Sequence, residues 1–173
     1  MHTRTESPPL WDFAVALYTR DGVASLCLRL QDEHQLDVPM VLACVWLTYC
    51  GHGVDPARLD VMLDAAEPVN ARVERIRAVR REIGTARAEE PGWQEAYAHL
   101  QTAELAGERV ELRAIERAVL GAMGEDEPRD HSNTRQRAVD GLRRYARRAG
   151  ASSCDALLEE LADRALDLRP AGD

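Results

Sequence analysis

Apolar positions along this chain recur at three- and four-residue spacings and nowhere alternate, so the elements they predict are helices. Leu10, Phe13, Ala14 and Leu17 make one stripe of a first helix over 10–19, with Trp11, Val15 and Tyr18 in an adjoining stripe. Ser7 and the Pro8-Pro9 pair are its start signals, and Asp21-Gly22 is a turn. A second helix over 23–34 turns Leu26, Cys27 and Leu30 inward and sets Arg29 and Glu33 as an exposed pair four apart. Met40 to Trp46 carries no charge, so the third helix, 38–50, is apolar almost all round and reads as buried and central. Gly51 and Gly53 end it.

Farther on, Asp55-Pro56 opens a helix over 56–66 that should stop before Pro68. A helix over 69–88 follows, with Val73, Ile76, Val79, Arg80 and Ile83 on one face and Arg72, Arg75, Arg77 and Arg81 on the other. After the break at Glu90-Pro91-Gly92, a helix over 93–123 carries a loose stripe of Tyr97, Leu100, Ala103 or Glu104, Ala106 or Gly107, Val110, Ala114 and Val119. Two long helices joined by so short a turn make an antiparallel hairpin. The segment GEDEPRDHSN, 124–133, reads as a flexible charged linker, and helices over 134–149 and 153–168 complete the chain, with Ser152 or Ser153 capping the last. The expected fold is all-α: a multi-helix bundle with a buried third helix, a long antiparallel hairpin and a short C-terminal helix pair. The expected division is a core domain over 1–123, the linker, and a helical pair over 134–173.

Composition narrows the chemistry. All 22 basic residues are Arg, which excludes a Lys Schiff base and a Walker-type phosphate loop. A net charge of −8 argues against general nucleic-acid binding. The charge is uneven, for residues 1–67 hold four Arg against ten acids, while 135–148 hold six Arg against one acid. The start, MHTRTESPPLW, has no apolar core of a signal peptide, and the uncharged run from Val38 to Gly53 falls short of the ~20 residues of a membrane span. A cytoplasmic location and no membrane partner follow as expectations. Cys27, Cys44, Cys50 and Cys154 form no CxxC pair and read as buried hydrophobes in a reducing compartment.

Two polar constellations invite a function. Asp32, Glu33, His34, Gln35 and Asp37 crowd ahead of the third helix, and with His52 they offer oxygen and imidazole ligands. No HExxH or ExxH spacing orders them on one helix face, whereas Asp37 followed by Pro39 is a helix start, an acceptor for a free N–H and then a proline where no donor is lost. Capping explains the knot, and no metal or cofactor is called for. In RQRAVDGLRRYARR, Arg137, Arg143, Arg144, Arg147 and Arg148 make a basic patch around Tyr145 that could grip nucleic acid. A solvated face partly neutralised by Asp155, Glu159, Glu160 and Asp163 explains it as well, so nucleic acid ranks last among partners.

The stretch 10–47 resembles DUF2390, a family of small proteobacterial proteins of unknown function. Leu10, Trp11, Phe13, Ala14, Leu17 and Tyr18 follow the first part of its pattern. Gly22, Val23, Cys27, Leu28, Leu30, Gln31 and Asp32 follow the middle, and Asp37, Val38, Leu42, Trp46 and Leu47 the last. The chain departs at Asp21, Gln35 and Pro39, where the pattern has Pro, Gly and Asn. The resemblance implies a bacterial cytosolic helical protein and brings no activity or catalytic residue with it. The leading expectation is a non-enzymatic protein-interaction module whose surface lies near Trp11, Arg29, Gln31, Asp32, Asp37 and Trp46, with an unknown protein partner or a second copy of the chain. The alternative is a small-molecule or metal-dependent helical enzyme using Asp32, Glu33, His34 and Asp37; the second alternative is nucleic-acid binding through 135–148.

Overall fold

A computed structural model describes residues 7–88, 90–124 and 127–168. Residues 1–6 of the start, Glu89 of the hairpin turn, Glu125 and Asp126 of the linker, and 169–173 of the C-terminal pair lie outside the described residues. The chain is all-α, with α1 (Leu10–Tyr18), α2 (Val23–His34), α3 (Val38–Tyr49), α4 (Pro56–Ala86), α5 (Trp93–Ala122), α6 (Thr134–Arg148) and α7 (Asp155–Leu166).

Every residue of α3 from Val38 to Thr48 is buried, and α3 touches each of the other six helices. A helix with no polar face cannot rest on one neighbour, so the rest of the fold wraps it. Asp37 caps α3 as its position suggested, Oδ2 accepting from the Met40 amide at 3.3 Å, and Pro39 fills the first turn. The hydroxyl of Thr48 donates to the Cys44 carbonyl at 3.2 Å, so the one polar side chain of the buried run is satisfied within its own helix. Trp46 is 2% exposed, and its Nε1 donates to the Pro8 carbonyl at 2.8 Å. All four cysteines are buried, and burial pushes the Cys27 and Cys44 thiols up to about 12, which leaves these two unreactive at neutral pH.

Several local expectations need correction. The helices expected over 56–66 and 69–88 are the single helix α4, with Pro68 inside it. Pro68 and Asp64, whose carbonyl loses its donor, both lie on the exposed side, so water can replace the missing bond. Ser7 does not cap α1; its first N–H, from Leu10, reaches across the fold to Glu116 Oε1 at 2.9 Å. Neither Ser152 nor Ser153 caps α7, whose N-cap is Cys154. At the end of α2, Gln35 takes the left-handed conformation at φ 58°, and the Leu36 amide bonds back to the Leu30 carbonyl at 3.1 Å. That geometry suits glycine.

The C-terminal pair shares the main core. Val139, Leu142, Tyr145, Leu158 and Leu161 belong to the same buried cluster as α1–α3, and α6 packs on α3 more extensively than on α7. Residues 127–133 are tied down as well, through an ion pair of Glu127 with Arg58 and a bond from the Asp130 amide to the Gly51 carbonyl at 2.8 Å. The described part of the expected flexible linker is therefore a strap, held because its charges meet Arg58 and Arg137. The break at 124–133 divides the chain without dividing the core.

Away from α3, the α4–α5 hairpin buries charge beside its apolar contacts. Val79 is 45% exposed and Val110 52%, whereas Arg77, expected on the outer face, is 2% exposed between the helices. Arg77 meets Glu104 at 2.7 Å and Glu108 at 2.8 Å, and also Glu74. Arg80 meets the other oxygen of Glu104 and the Tyr97 hydroxyl. Gly107 lets the helices approach, because a Cβ there would lie 2.7 Å from Val73 Cγ2.

Candidate functional site

Helix α1 lies antiparallel to α5: Leu10 bonds Glu116, the Arg109 guanidinium sits 4.9 Å over the Trp11 ring, and Tyr18 lines a pocket with Leu105. Its first stripe, Leu10, Phe13, Ala14 and Leu17, is buried, so the adjoining stripe of Trp11, Val15 and Tyr18 faces outward. Between that stripe and α5 runs an apolar groove of about 210 Å³, with Val38, Pro39 and Leu42 of α3 at its base. Glu108 is its one acidic lining residue. A second hollow of about 290 Å³ continues it past Tyr18, Leu105 and Glu108 to Leu28 and Gln31 of α2. Leu105 is 56% exposed, Leu28 49%, Val15 43% and Tyr18 38%. Three helices thus each leave large apolar side chains in water around one trough, although 38 other apolar residues are buried among the described residues.

A polar site lies under the head of α3. Asp37 Oδ1 accepts from Asn70 Nδ2 of α4 at 2.9 Å, and the Asp37 amide donates to the Tyr145 hydroxyl of α6 at 3.0 Å. Against Asp37 stands Glu111 of α5, 0% exposed, with neither carboxyl oxygen receiving a hydrogen bond. Burial and then the Asp37 charge push the Glu111 carboxyl up to about 10; burial also raises Asp37. Two polar cavities of about 380 and 250 Å³ flank the site and share Asp37 and Asn70. The first adds Asp64, Glu67, Tyr145 and Arg148, the second Gln31, Gln35, Glu74 and Arg81.

The residues singled out in the sequence are scattered by this arrangement. Trp11 and Gln31 line the groove and its continuation. Arg29 pairs with Glu33 at 3.0 Å on the exposed face of α2, and Asp32 lies 3.7 Å from Arg81 of the hairpin. Trp46 is 2% exposed and lines neither the groove nor its continuation, but a separate hollow of about 300 Å³ with Pro8, Leu47 and Leu120. Nor do Asp32, Glu33, His34 and Asp37 converge. The first two are exposed, His34 is half-buried 4.0 Å from Glu33, and Asp37 turns under α3. Among the described residues no three His, Cys, Asp or Glu side chains stand together as metal ligands would.

Two of the five arginines of the basic patch, Arg137 and Arg143, are paired with the strap and α7, and the neighbouring Arg135 is paired with α7 as well. Arg143 meets Asp155 at 2.6 Å and Glu159 at 2.7 Å, Arg135 meets Asp163 at 2.6 Å, and Arg137 meets Asp130 at 3.3 Å. Arg144 is half-buried with its Nε enclosed, while Arg147 and Arg148 are exposed at the end of α6. Among the described residues no helix is long and apolar enough to cross a membrane.

Glu111, Asn70 and Leu105 escape a reading of the sequence, which also places Tyr145 in the basic patch and not beside Asp37. The available signal was the spacing of Glu104, Glu108 and Glu111, which places three acids along the inner side of α5. Acids there demand partners from another helix, and Arg77 and Arg80 are spaced to supply them. A family model described as a protein of unknown function, DUF2390, matches residues 9–115, more than half of the chain. Comparison with curated proteins and with solved structures finds no match.

Proposed function

The chain belongs to the DUF2390 family, and from that premise we propose that it is a protein-interaction module that receives an apolar helical segment in the groove between α1 and α5. The exposure of Val15, Tyr18, Leu28 and Leu105 around one trough carries this reading. Single exposed apolar residues are ordinary on a protein surface, but a contiguous set drawn from three elements is what a partner's side chains would cover. Helix-in-groove recognition uses a trough of this kind, with anchors spaced along one face of the guest helix. The matched span includes every residue that lines the groove and stops short of α6 and α7. The polar site under α3 serves this reading less well, for its hydrogen bonds are made within the fold.

A photoreactive amino acid placed at Leu105 in living cells tests the reading, with the same residue at Arg147 as a control. Crosslinks to a discrete protein are expected at position 105 and not at 147, and Val15→Asp should abolish them while shifting stability by no more than ~0.5 kcal/mol, as at other exposed sites. Equal crosslinking at both positions, or none at 105, would overturn the groove as the docking site.

A further inference from the structure

We propose that the Asp37 and Glu111 carboxyls bind one proton between them, and that this proton fastens the α4–α5 hairpin to the head of α3. Geometry carries the first half. Glu111 is fully enclosed, both its oxygens lack a hydrogen-bond donor, and the charge that acts on it most strongly is that of the Asp37 carboxyl. Two ionised carboxylates offer each other only acceptors, so the arrangement is satisfied when one carries a hydrogen and donates it to the other. Asp37 is the better acceptor, since Asn70 and the Met40 amide already donate to it.

The surrounding charges cannot replace the proton. From α4 come Glu74 and Arg77, and from α5 Glu104 and Glu108, with Arg80 paired to Glu104. From α6 comes the Tyr145 hydroxyl, and from α3 the neutral Cys44 thiol near it. Five carboxyls therefore face two guanidiniums, and Arg77 already meets three of them. Arg81 and Arg148 lie outside, at the rims of the two cavities that Asp37 lines. A second charge at the pair would be enclosed and uncompensated, which is the condition that splits the titration of two facing carboxyls. The shift of Glu111 is upward for the same reasons, burial first and the Asp37 charge second.

The second half follows from placement. Asp37 begins the buried helix α3 and Glu111 lies on α5, so losing the proton sets like charges against each other across the junction of hairpin and body. The cavities beside Asp37 give water access, so the proton exchanges with solvent through Asp37. The site is then a proton-binding site, with Glu108 linking it electrostatically to the floor of the docking groove.

Carboxyl ¹³C NMR of the full chain, titrated from about pH 5 to about pH 9, reads the proton directly, with Glu111→Gln identifying the resonance. One carboxyl should keep its acid shift through neutral pH and vanish in the variant. Because the folded state holds a proton that the unfolded state releases, the unfolding equilibrium of the wild type should rise on the order of tenfold per pH unit relative to Glu111→Gln across this range. Should Glu111→Gln not fold, the wild-type titration stands by itself, read as the rise of its own unfolding equilibrium with pH across this range. A Glu111 carboxyl that is ionised at neutral pH, or stability curves that run parallel, would overturn the proposal.

Discussion

Replacing Arg77 by alanine tests whether charge holds the hairpin together. Its guanidinium is 2% exposed and engages Glu104, Glu108 and Glu74, of which Glu104 is nearly enclosed and Glu108 a quarter exposed. Removing one partner of a buried ionic cluster costs about 3–5 kcal/mol, because the carboxylates left behind keep their desolvation penalty without their counter-ion. Glu104→Gln should cost less, ~1–2 kcal/mol, since Arg77 retains two acceptors and Arg80 the Tyr97 hydroxyl. Urea unfolding followed by far-ultraviolet circular dichroism gives both numbers. The pH dependence adds a signature that lost packing would lack. Burial raises the Glu104 carboxyl, and the hydrogen bonds from Arg80 and Arg77 together outweigh it, holding it below its ordinary range. A depressed folded value contributes stability above the unfolded value near 4.5 and loses it as pH falls. Without Arg77 that contribution shrinks, and Glu108, which burial already raises, takes up a proton more readily. The deficit of Arg77→Ala should therefore narrow on going from about pH 7 to about pH 5. A deficit below ~1 kcal/mol at neutral pH, or one constant over that range, would refute the reasoning, for it is what a solvated surface cluster gives.

The remaining expectations concern the core and one turn. Trp46→Ala should cost about 3–5 kcal/mol, read from the urea midpoint, because it removes a fully buried side chain from the central helix. Gln35→Gly should raise stability by ~0.5–1 kcal/mol by relieving the left-handed backbone at φ 58°; no gain in thermal midpoint would mean that the Gln35 side-chain bonds to the Gln31 and Asp32 carbonyls offset the strain.

What the sequence shows and what it hides divide along one physical line. Caps, breaks and uniformly apolar runs act within a turn or two of the residue that causes them. Asp37 with Pro39 and Asp55 with Pro56 accordingly locate the starts of α3 and α4, and the run from Met40 to Trp46 the body of α3. Pro68 shows the limit of a local rule: a proline breaks a helix only if the freed carbonyl has nowhere to turn, and which side of α4 meets water depends on the other helices. The same dependence hides the polar site. Asn70, Glu111 and Tyr145 reach Asp37 across 33, 74 and 108 residues of chain, and each alone reads as an ordinary polar residue on a helix. Arg77 looks solvated for the same reason: the stripe of Val73, Ile76, Val79 and Ile83 reads as the packed face, yet the face that packs holds Val73 together with Arg77 and leaves Val79 exposed. What decides between the two faces is the other helix: α5 presents Glu104 and Glu108, and these choose Arg77 over Val79. Charges inside an interface thus set the register of the α4–α5 hairpin, and the apolar pattern of either helix alone could not.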